Sequence, residues 1–124
     1  MPILRAANTV VHHLHGASFT AHANPTAGST DLCVWQLVVP PGLVGQPHRV
    51  HRAEVLVLTT GTLRVTLGEE TAEASAGDTI MVPAGTLFQV DNISEEPASA
   101  LVSTTAGFTA ELADGTEITP PWAR

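Results

Sequence analysis

The chain has 124 residues and a formal charge of −7, from twelve acidic residues against five Arg and no Lys, so it has the size of one domain and repels phosphate backbones and anionic membranes. Nucleic acid and membrane are therefore not expected partners. No apolar run approaches the ~18 residues of a spanning helix, no leader pattern opens the sequence, and a lone Cys33 forms no internal disulfide; a reducing, cytoplasmic setting is the expectation.

Residues 2–23 carry short β-branched runs interrupted at Asn8 and Gly16, which predict two or three strands around ILRA, TVVHHLH and SFTAH as an edge or dimer layer. Residues 24–30 collect turn formers and read as a loop. Residues 32–40 (LCVWQLVVP) form the most apolar run. Strand alternation puts Val34, Gln36 and Val38 on one face and Cys33, Trp35, Leu37 and Val39 on the other. If the Gln36 face is the inner one, its amide must bond to backbone or be offered to a ligand.

Pro40, Pro41 and Gly42 stop that strand, and extended structure resumes near His48. Residues 54–60, 63–67, 71–76, 80–82, 86–91 and 98–105 then read as strands, separated by turns at Gly61, Gly68 and Gly77-Asp78 and a bend at Pro83 to Gly85. The tail holds an Asp114-Gly115 hairpin signal, and Trp122 is expected to cover a core edge or a subunit contact. Short strands with turns every eight to twelve residues and no helical period predict an all-β sandwich or barrel.

Two stretches carry the functional signal, residues 42–61 (GLVGQPHRVHRAEVLVLTTG) and 77–92 (GDTIMVPAGTLFQVDN). They resemble the paired motifs of the cupin superfamily, G-x5-H-x-H-x3-4-E-x6-G and G-x5-P-x-G-x2-H-x3-N. Gly42, His48, Glu54 and Gly61 fall on the first, and Gly77, Pro83, Gly85 and Asn92 on the second. The resemblance implies a jelly-roll barrel, or double-stranded β-helix, over residues 1–124 as a single domain.

Cupins that hold a metal use three His and one Glu pointing into the barrel. Here the second histidine position is Val50 and the third is Phe88, so the resemblance implies a degenerate metal site. His51 is the candidate substitute, although strand parity points it away from His48 and Glu54 unless a bulge re-aims it. With a bulge, His48, His51 and Glu54 would hold a divalent transition metal (Zn, Fe, Mn or Ni) for oxygenase-type chemistry. Without one, no cofactor is expected. His48 and Glu54 then form an acid/base pair in which the carboxylate orients the imidazole, suited to metal-independent isomerisation, epimerisation or cyclisation.

Phe88 would supply an apolar wall, and Gln36, Arg52 and Met81 complete the candidate ligand contacts. Arg52 would pair with Glu54 or meet an anionic ligand, and Met81 would adapt to the pocket. The expected partner is a small organic molecule, bound with or without turnover. His12, His13, His15 and His22 are assigned to the surface or to a subunit contact, since small cupins commonly form homodimers through added edge strands.

Overall fold

The computed structural model describes residues 3–124, and its twelve strands build two antiparallel sheets. The first has the order β1-β2-β3-β10-β5-β8, with β1 Val10–Leu14, β2 Ala17–Ala23, β3 Leu32–Val39, β5 Glu54–Thr60, β8 Thr79–Val82 and β10 Ala98–Thr105. The second runs β12-β11-β4-β9-β6-β7, with β4 His48–Val50, β6 Thr62–Leu67, β7 Glu70–Ser75, β9 Leu87–Asp91, β11 Ala110–Leu112 and β12 Glu117–Ile118. Face to face, the two sheets make the expected jelly roll. No helix among the described residues is long and apolar enough to cross a membrane.

Alternation decides what faces inward. On β3 the buried residues are Cys33, Trp35, Leu37 and Val39, on β5 Glu54, Leu56 and Leu58, and on β10 Ala98, Ala100, Val102 and Thr104. The Leu56 and Leu58 side chains fix the register of β5, and period-two parity then draws Glu54 inside with them. Gln36 and Met81 fall on the opposite parity from the buried residues of β3 and β8, so they face outward.

Two motif positions serve the frame. Gly61 turns between β5 and β6 at φ +76°, and a Cβ there would lie 2.6 Å from the Pro97 carbonyl oxygen, so only glycine fits. Asn92 is buried and donates through Nδ2 to the carbonyls of Val39 (3.1 Å) and Glu96 (2.8 Å), while its Oδ1 accepts from the Ser94 amide at 3.0 Å. It ties the turn after β9 to the end of β3.

The N-terminal segment differs from its sequence reading. Residues 3–5 form no strand and residues 6–8 make a 3-10 turn, because the apolar side chains of Ile3 and Leu4 find no face to cover and stay exposed. The start of the expected first strand at Pro2 lies outside the described residues. The 24–30 loop is anchored: Asn24 is buried, caps the 3-10 turn Pro25–Ala27 through the Ala27 amide, and donates to the Trp122 carbonyl at 3.1 Å.

Candidate functional site

Between the sheets lies a cavity of ≈ 130 Å³, lined mainly by Leu, Val, Phe and Trp side chains. It is comparable in size to engineered apolar cavities of about 150 Å³ that accept a benzene ring. Three side chains with acid/base chemistry line it, His15, His48 and Glu54, and the last two reach it from opposite walls. His48 comes from β4 of the second sheet and Glu54 from β5 of the first.

Glu54 is buried with no hydrogen-bond partner among the described residues, and burial alone pushes its carboxyl up to about 8. At neutral pH it is a protonated acid. His48 is shifted the other way: burial lowers its pKa, the hydrogen bond to Gln46 opposes this, and the charge of nearby His15 adds to the lowering. His48 Nδ1 lies 2.9 Å from the Gln46 carbonyl oxygen. A carbonyl only accepts, so Nδ1 carries the proton and Nε2 keeps its lone pair.

No ion pair or hydrogen bond joins His48 to Glu54. The expectation that the carboxylate orients the imidazole is thus corrected. The Gln46 carbonyl does so, helped by Phe88, which sits beside His48 in the β4–β9 ladder with the rings edge to face at 5.4 Å. Phe88 lines the cavity as its expected wall.

The other candidate contacts lie elsewhere. Gln36 and Met81 point away from the interior, Met81 being 69% exposed. Arg52 is exposed, and its guanidinium packs near Gly107 instead of Glu54. His51 is also outside, with Nε2 3.2 Å from Glu117 Oε2. Between Val50 and Glu54 the chain leaves the second sheet for the first through a bend at His51 and Arg52, and that corner directs both side chains to solvent. The ligand set His48, His51 and Glu54 is therefore not assembled.

Several lining residues were not among the sequence candidates. His15 reaches the cavity from the β1–β2 turn at φ +50°, an uncommon conformation for a residue with a side chain. Leu112, Ile118 and Pro120 come from the C-terminal hairpin, and Trp122 stacks on Phe19 with ring centroids 3.7 Å apart. Trp122 does cover the core edge, yet it also walls the cavity, and its Nε1 is buried without a partner. The His15-Gly16 turn and the Asp114-Gly115 hairpin were the local signals available for these. The rest depend on long-range pairing.

A model of the cupin domain matches residues 35–104, more than half of the sequence. The protein belongs to the cupin family. No curated protein matches it by sequence. Among solved structures it is similar to a sugar phosphate isomerase from Silicibacter pomeroyi, with 23% identity, a TM-score of 0.68 and coverage of 86% of this chain and 74% of the other. A polyketide cyclase from Streptomyces resistomycificus gives 14% identity, a TM-score of 0.77 and coverage of 87% and 81%. An oxalate decarboxylase mutant from Bacillus subtilis gives 21% identity and a TM-score of 0.76, with 89% of this chain covering 31% of that one. These likenesses establish the shared fold.

Within this cupin, the four positions of the family's ligand set are His48, Val50, Glu54 and Phe88. Val50 and Phe88 are buried hydrocarbon with no donor atom, and the remaining two groups stand on facing sheets, one of them a protonated carboxyl. This donor set does not fit a resident metal inside the barrel. Burial disfavours the charged form of both remaining groups in these apolar surroundings.

Proposed function

We propose that this cupin binds a small, largely apolar carbonyl compound and moves a proton on it without a metal, as an isomerase, epimerase or cyclase does. The observation that carries the reading is the pair of opposed groups on one cavity: Glu54 held protonated and His48 held neutral, each the reverse of its ordinary state or pushed away from its charged form. Environments that drive two titratable groups apart in this manner suit an acid and a base acting together.

In this mechanism His48 Nε2 takes a proton from the carbon next to the carbonyl. The Glu54 carboxyl donates its hydrogen to the carbonyl oxygen as the C–H pair becomes a C=C bond, which gives the enol. Return of a proton from His48 to carbon and of the enol hydrogen to Glu54 restores both groups. The Gln46 carbonyl keeps the imidazole in the tautomer that leaves Nε2 free, and the hydrocarbon lining excludes water that would level the two pKa values. Both groups hold the required state from the lowered His48 pKa up to about pH 8, so turnover should plateau across neutral pH and fall above pH 8.

The test is α-proton exchange in D2O, followed by proton NMR, with phenylacetone and related one-ring ketones. Wild-type protein should accelerate exchange, and His48→Ala should abolish it with binding retained. Binding without exchange in the wild type would make the cavity a non-catalytic ligand module, and no binding of any ketone would sink the carbonyl assignment. A homodimer through the edge strand β1 is part of this proposal, supported by the exposed Val10 and Val11.

A further inference from the structure

Outside the cavity, three donor side chains converge on the surface of the second sheet. His51 follows the end of β4, Glu111 sits in the middle of β11 and Glu117 begins β12. One imidazole nitrogen and one carboxylate oxygen from each Glu all lie within 4.8 Å of one another. Their positions are set by backbone pairing. Glu111 and Glu117 stand directly opposite in the β11–β12 ladder, β11 pairs with β4, and the His51 amide donates to the Thr109 carbonyl at 3.0 Å.

This arrangement is unfavourable as it stands. Like charges directly opposite in an antiparallel pair repel, and β12 has only two residues with which to hold the ladder. Arg49 is the ladder neighbour of Glu111, but its guanidinium donates to the Gly85 carbonyl. Among the described residues no Lys or Arg pairs with either carboxylate, and the one imidazole beside them is that of His51.

We propose that His51, Glu111 and Glu117 bind a divalent first-row transition ion, with Zn2+ as the representative, and that the ion clamps the β11–β12 hairpin to the end of β4. Two carboxylates match the charge of such an ion, and the imidazole selects it over Mg2+ or Ca2+, which prefer oxygen alone. Three protein donors leave a position for water. The clamp has a consequence inside the barrel. The opposite face of the same hairpin supplies Ala110, Leu112 and Ile118 to the cavity wall, so an ion on the outer face would hold that wall in place. The site shares no residue with the acid/base pair and does not depend on it.

Calorimetric titration of chelator-treated full-length protein with ZnCl2 tests the site. One ion per chain at micromolar affinity is expected, weakened about tenfold or more in Glu111→Gln, Glu117→Gln and His51→Ala, and unchanged in His13→Ala and His48→Ala. Amide exchange of residues 110–118 should slow on adding Zn2+, with that of the β6–β7 hairpin unaltered. Absence of saturable binding, or binding that survives both Glu117→Gln and His51→Ala, overturns the site. Stoichiometric binding with no change in hairpin exchange overturns the clamp.

Discussion

His48 and His51 stand three residues apart, and so do His51 and Glu54, yet the inner and outer groups of this segment live under different physics. His48 and Glu54 face a hydrocarbon cavity, where burial disfavours charge and leaves one a neutral base and the other a neutral acid. His51 faces solvent among carboxylates, where charge is cheap and an ion can be shared. Under the two proposals the same residue types would serve proton transfer in the cavity and cation binding at the surface. Solvent access makes the difference.

The largest test of that contrast is Glu54→Gln. The unfolded chain ionises Glu54 near the ordinary carboxylate value of 4.5 and the folded protein only near 8, so between these values the folded state holds the extra proton and stability falls as pH rises. Gln removes that loss. Chemical denaturation should show wild type and variant alike below pH 4, with the variant gaining steadily to a ceiling of about 5 kcal/mol at and above pH 8. Parallel curves would mean that Glu54 ionises freely and that the inner site resembles the outer one.

Phe88→Ala comes next. Its ring is buried against His48, and truncation should cost about 3 kcal/mol in denaturant unfolding and open the cavity to water, which would also bring the exchange profile of His48 towards that of a solvated imidazole. A loss below about 1 kcal/mol would show that the site collapses and that the wall is not rigid. The smallest effect belongs outside. In chelator, Glu117→Gln should change stability by less than about 0.5 kcal/mol, with the sign favouring Gln, because it removes a like-charge opposition at an exposed ladder position. A large destabilisation would mean that the His51–Glu117 pair is holding the hairpin by itself.

Glu54 was legible as an inward group because Leu56 and Leu58 share its parity, and parity is a local property. The same rule did not place Gln36, expected as a ligand contact: alternation alone does not say which face is inner, and the burial of Trp35 and Leu37 turns Gln36 outward. Met81 failed as a pocket contact for that reason. His51 could not be placed from sequence, since its direction depends on the corner where the chain passes from one sheet to the other. Its partners Glu111 and Glu117 are some sixty residues away. The hairpin that closes the cavity was readable as a turn at Asp114-Gly115, and its position over the barrel was not.

By itself the sequence determined the all-β architecture, the turn positions and the loss of two ligand donors at Val50 and Phe88, because glycine geometry, strand period and residue chemistry are properties of the chain. Only the tertiary structure decided that His48 is oriented by Gln46 instead of Glu54, that burial pushes the Glu54 carboxyl above its ordinary range, and that His51 belongs to an outer cluster. Those outcomes depend on which surfaces exclude water, and water is excluded only when distant strands come together.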